Sequence, residues 1–208
     1  MNSLARSWAR AWPQLSGDSG VELRDALLAH YEQKHRCYHT LQHLRECLGH
    51  FAEVRHLAEN PAEVEIALWF HDAIYEVRKH DNEERSAAWA TSALLHAGAD
   101  SDAAARVAAL ILATQHSVLP ESPDEQLLVD IDLSILGAPQ ARFELYDQQI
   151  RHEYSWVAQP VYRSKRLEVL QGFLDRAFIY STPHFRDALE VAARANLLNA
   201  IEALSAVR

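Results

Sequence analysis

Ile66-Ala67-Leu68-Trp69-Phe70-His71-Asp72 is the stretch on which the fold turns. Five apolar residues in succession leave no polar side to a helix, and a helix apolar all round belongs in the centre of a bundle. Asn60-Pro61 opens it, since proline suits the first helical turn, and the helix is predicted to run through Glu65 and Trp69 to Ala73. Upstream, Leu41, Leu44, Leu48, Phe51 and Val54 recur at helical spacing and predict a helix over about Tyr38 to Ala58. Leu23, Leu27, Leu28 and Tyr31 predict another over Val21 to about His35. Downstream, a polar loop spans Val77 to Asp81. Helices follow at about Asn82–Ala97, Asp102–Thr114, Glu125–Leu136, Pro139–Val157, Pro160–Phe178 and Pro183–Val207. The expectation is an all-α bundle of eight to ten helices.

Composition agrees. Only 6 Gly and 7 Pro interrupt 208 residues rich in Ala, Leu, Glu and Arg, which are helix formers. A net charge of −9 excludes a protein that tracks bulk nucleic acid, because such affinity comes from a basic face neutralising phosphates. It leaves a small anionic substrate open, which one metal ion and a few arginines can attract locally. The first residues, MNSLARSWARAWPQL, have no continuous apolar core, so no signal peptide is expected. No apolar run approaches the roughly 18 residues that span a membrane. Cys37 and Cys47 match no zinc or redox spacing and read as ordinary reduced thiols. A cytoplasmic protein of one domain, residues 1–208, is expected.

His-Asp is an odd ending for so apolar a helix, because a buried carboxylate is costly unless it is paired or binds a metal. Two other motifs share that character. Tyr38-His39-Thr40-Leu41-Gln42-His43 places two histidines one helical turn apart. Asp130-Ile131-Asp132 sets two acids in an apolar helix, where residues two apart diverge; Asp132, flanked by Leu128, Leu133 and Ile135, is the better inward candidate. Imidazoles and carboxylates from three helices would form a nitrogen–oxygen site for one divalent ion, Mn, Fe, Co, Ni, Zn or Mg. Cysteine is not part of that expected set, which speaks against structural zinc. The surrounding core is expected over about residues 21–137, with helices over 139–207 packing on it.

The order His43, His71-Asp72, Asp132 resembles the H…HD…D signature of HD-domain metal-dependent phosphohydrolases. The run Tyr-His-Thr-x-x-His is similar to the YHNxxH segment of cyclic-nucleotide phosphodiesterases, with Thr40 in place of Asn. More closely, WFHDAIY (69–75), DNEERSA (81–87), ILATQH (111–116), DIDLSILG (130–137), IRHEYSWV (150–157) and ARANLL (193–198) resemble small bacterial HD-superfamily phosphohydrolases. The resemblance implies His43, His71, Asp72 and Asp132 as metal ligands and His39 as proton donor to the leaving group. It also implies an acid after the HD pair that positions the attacking water, with Glu76, Asp81 and Glu83 as candidates. Thr114 and His116, closing a helix before a long loop, are candidates for substrate or ligand-supporting contacts, as are one or two of Arg151, Arg163, Lys165, Arg166 and Arg194. The implied activity is hydrolysis of a small phosphorylated substrate, a nucleotide for preference, by a metal-activated water. Two rivals remain: an HD-fold di-iron oxygenase, which would need His96 and His116 as further ligands, and a metal- or nucleotide-binding regulatory module without turnover.

Overall fold

In a computed structural model, which describes residues 3–206, ten α-helices account for the architecture and no strand occurs among the described residues. They are α1 (Ser3–Leu15), α2 (Val21–Tyr31), α3 (Leu41–Val54), α4 (Pro61–Phe70), α5 (Asn82–His96), α6 (Ser101–Ala113), α7 (Pro123–Asp132), α8 (Gln140–Glu153), α9 (Gln159–Leu174) and α10 (Pro183–Ala206). Short 3-10 segments follow α3 at Arg55–Leu57 and α7 at Leu133–Gly137. The chain divides into two compact units, one ending at Ile131 and the other beginning at Asp132.

In the first unit α4 is the central helix, as its all-round apolarity predicts. Every residue from Ala62 to Phe70 is buried, and α1, α3, α5 and α6 pack around it. Ile66, Leu68 and Phe70 are fully enclosed, each stabilising the fold by about 1.5–3 kcal/mol. The one costly passenger is Glu65, completely buried, and it is answered from α1. Ser7 Oγ donates to its carboxylate at 2.6 Å, Arg10 Nε donates at 3.0 Å, and Arg10 Nη2 makes a second bond. Ser7 Oγ in turn accepts from the Trp69 indole at 3.0 Å.

The second unit is organised by α10. Asn196 Nδ2 donates to the carbonyls of Leu136 and Ala138 at 2.8 and 2.9 Å, and Tyr180 Oη donates to Leu133 at 3.1 Å. These bonds hold the 3-10 segment against the helix. Gly137 is required there, because a β-carbon would press on Leu189 and its carbonyl.

Several boundaries differ from the sequence reading: α2, α7, α8 and α9 each end short of the expected residue, at Tyr31, Asp132, Glu153 and Leu174. α1 lies ahead of the first predicted helix. α3 begins at Leu41 because Thr40 is its N-cap, extended in backbone and accepting from the Gln42 amide through its side chain at 3.2 Å. α4 stops at Phe70, with His71 as its C-cap and Asp72 in the turn beyond. Among the described residues, no helix is long and apolar enough to cross a membrane. The expected last residue of the final helix, Val207, lies outside the described residues.

Candidate metal centre

His43 owes its position to the Thr40 cap. The cap starts α3 three residues earlier and sets a buried stripe of His43, Leu44, Cys47, Leu48 and Phe51. His71 is placed by the end of α4: its amide closes the last turn on Ala67 at 2.8 Å, and its ring Nδ1 lies 2.8 Å from the Leu68 carbonyl. A carbonyl only accepts, so Nδ1 carries a proton and Nε2 is turned the other way. Anchoring one ring nitrogen on a backbone oxygen is how metal-binding imidazoles are oriented.

That nitrogen meets two other polar atoms. His71 Nε2 lies 3.0 Å from His43 Nε2 and 3.1 Å from Asp72 Oδ2, and His43 Nε2 lies 3.3 Å from the same oxygen. Both histidines are buried, the Asp72 side chain is only 15% exposed, and Asp72 Oδ2 is a buried oxygen with no hydrogen-bond donor aligned on it. Three electron-pair donors within 3.3 Å of one another repel unless protons or a cation lie among them. Burial would raise the Asp72 carboxyl, but the charges of His71 and His39 and the hydrogen-bonding edges of His43 and His71 outweigh it. The group is therefore held well below the ordinary carboxylate range.

Cys47 and Asp132 join the two histidines in a metal-binding group that leaves out Asp72, one of the four ligands expected from the sequence. Donor atoms of His43, Cys47, His71 and Asp132 all lie within 4.8 Å of one another, a grouping that could hold a metal ion. Cys47 Sγ is 3.7 Å from both ring nitrogens of His43. The expectation that cysteine stands apart from the site is thus corrected: Cys47 lies one turn after His43 on the same face of α3. Asp132 was the expected inward acid of the pair, but Asp130 is the completely buried one, while Asp132 is half-buried and carries the group's carboxylate.

His39 sits outside α3, not on the helix face expected of it, because the Thr40 cap precedes the helix. Its ring stacks on Tyr75 with centroids 4.0 Å apart and meets the His43 ring edge-on at 6.0 Å. Half-buried Glu83, in the first turn of α5, has its carboxyl raised by burial and by the charges of Asp72 and Glu84, against its own backbone hydrogen bond and the charge of His116. His116 follows α6 in left-handed backbone, φ 55°, a conformation histidine adopts more readily than most residues. Glu76 pairs with Arg85 at 2.8 Å and Asp81 sits at the start of α5, both exposed. Thr114 is buried and donates its hydroxyl to the Ile111 carbonyl at 2.7 Å, capping α6. His96 ends α5, exposed and in no metal-binding group.

The basic residues named from the sequence have structural work within the second unit. Arg166 is buried on Asp147 at 2.8 Å, and Lys165 pairs with Glu168 at 2.7 Å. Arg194 binds Glu190 and the carbonyls of Leu174, Arg176 and Ala177, Arg151 binds those of Tyr154 and Val157, and Arg163 binds that of Ser205.

One residue escaped the sequence reading altogether. Buried Arg36 donates to the carbonyls of His39, Asp72 and Ala73 at 3.2, 2.6 and 3.0 Å, so it ties the His39 loop to the His-Asp turn. His30 and His35 add bonds to Ala73 and Tyr75 at 2.9 and 2.7 Å. The only sequence signal was a cluster of basic residues between two helices.

In comparisons with known proteins, no family model, curated protein or solved structure matches this chain.

Proposed function

We propose that this chain is a metal-dependent phosphohydrolase, cleaving a phosphoester of a small molecule, a nucleotide for preference, with His43, His71, Asp72 and Asp132 as the residues that would hold the ion. The observation that supports it is the convergence of two imidazole Nε2 atoms and the Asp72 carboxylate within 3.3 Å in a buried pocket of charge. A mixed nitrogen–oxygen donor set of that kind suits a divalent cation with positions open to water and substrate. Such an ion would supply Lewis acidity to a phosphoryl oxygen and to the attacking water.

The remaining chemistry falls to the chain. His39, flanked by Tyr38 and Tyr75, is half-buried and would give an imidazole proton to the departing oxygen. Glu83, whose carboxyl favours its protonated form more than an exposed glutamate does, would orient the attacking water and take up its proton. Arg36 would keep the two halves of this arrangement in register through the His39 and Asp72 carbonyls. The oxygenase alternative has less to stand on, because the histidine it needs at position 96 is exposed and outside the metal-binding group.

The test is an anaerobic assay of the protein loaded with Mn²⁺, Mg²⁺, Co²⁺ or Zn²⁺. The substrates are nucleoside mono-, di- and triphosphates, cyclic nucleotides and p-nitrophenyl phosphate. Phosphoester cleavage that chelation abolishes is expected. Two irons per chain with turnover strictly dependent on O₂ would overturn the hydrolase in favour of the oxygenase, and a metal-loaded protein inert on every substrate would leave a binding module.

A further inference from the structure

We propose that Cys47 is a metal ligand of this centre, so that the site selects thiophilic ions (Zn²⁺, Co²⁺, Fe²⁺, Cd²⁺) over Mg²⁺ and Mn²⁺. The proposal rests on the metal-binding reading above and goes beyond its four residues. Its first support is distance. Metal–nitrogen and metal–sulfur bonds of about 2.0–2.1 and 2.3 Å place two donors on one ion no more than about 4.4 Å apart. The 3.7 Å between Cys47 Sγ and His43 Nε2 falls within that limit, and Sγ shares the 4.8 Å grouping with His71 and Asp132 as well.

Its second support is the environment. Cys47 is 1% exposed, and along the buried face of α3 it is the one residue within a turn of His43 that carries a metal-binding atom. A free thiol that only filled space would be content among the leucines on this stripe. Here it stands instead beside two imidazoles whose Nε2 atoms already converge on Asp72. Hard carboxylates suit Mg²⁺ and Mn²⁺, whereas a thiolate shifts preference towards softer ions without excluding the carboxylates as co-ligands. Cys37, only half-buried and outside the grouping, serves as an internal control.

Cobalt makes the sulfur visible. A thiolate bound to Co²⁺ gives an intense near-ultraviolet charge-transfer absorption that nitrogen and oxygen ligands do not. The full-length protein titrated with Co²⁺ should develop this band in step with binding, and Cys37→Ser should keep it. Cys47→Ser, checked for native circular dichroism, should still bind cobalt yet lose the band. Its Cd²⁺ affinity should fall about 10-fold or more while its Mn²⁺ affinity changes by less than about threefold. If the unmodified protein binds Co²⁺ at His43 and His71 without the band, Cys47 is no ligand and the metal centre stands without it. If it binds no divalent ion at all, the centre itself fails and this proposal with it.

Discussion

His71 shows how a single side chain can be specified from both ends. Its Nδ1 is committed to the Leu68 carbonyl, so its Nε2 has no choice but to face His43 and Asp72. His39 is the opposite case, a ring held by stacking on Tyr75 and not by a ligand's geometry. His39→Ala should therefore keep its metal. It should lose about 10²-fold or more in rate on substrates with poor leaving groups, and much less on p-nitrophenyl phosphate, whose leaving group needs little protonation. Equal losses on both would assign His39 a positioning role. Tyr31 offers a test at alkaline pH. It is fully buried, its hydroxyl donates to the Trp69 carbonyl at 3.2 Å, and burial pushes its pKa up to about 12, with His71 and Arg36 pulling down and Asp72 pushing up. A raised pKa contributes stability that is present below pH 10 and lost as pH rises through about 12. Between those limits the unfolded chain ionises first. Denaturant melts should show the stability gap between the protein and Tyr31→Phe shrinking by about 2–3 kcal/mol from pH 10 to 12. A gap that stays constant would contradict it.

At the scale of elements, the sequence was most legible where burial was total. The unbroken apolar run of α4 predicted a central helix, and α1, α3, α5 and α6 do surround it. What escaped was α1, whose Leu4, Trp8, Ala11 and Trp12 carry a helical stripe that a reading for leader peptides passes over. The Trp8 and Trp12 rings stack at 4.9 Å, and Gly20, at φ 53°, has no β-carbon to collide with the Trp12 indole. Cys47 was legible in principle, since i and i+4 share a face, but a search for paired cysteines discards a lone one. Arg36 was not legible, because its partners are backbone carbonyls brought near only by the fold. The α1–α4 clamp gives a prediction of its own. Ser7→Ala leaves the buried Trp69 indole without its acceptor and takes one donor from Glu65, which keeps Arg10, and the orphaned indole costs about 1–3 kcal/mol. Chemical denaturation should show that loss while metal content and hydrolysis per folded molecule stay unchanged.

At the scale of the molecule, His43, Cys47, His71 and Asp72 all lie in the unit that ends at Ile131. Metal bound by the folded chain and not by the unfolded one must stabilise it. At a free-ion concentration 100 times the dissociation constant the gain is about 2.7 kcal/mol, and the melting temperature should rise by about 5 °C or more. The net charge of −9 adds a further reason for a cation to be held where carboxylates meet.

The most direct test of the account is the metal content of the purified protein beside that of His71→Ala, measured by elemental analysis after dialysis against trace divalent ions, with circular dichroism to confirm the fold. About one ion per chain is expected in the first and essentially none in the second, both folded. Equal metal in the two proteins, or no metal in either, would contradict it.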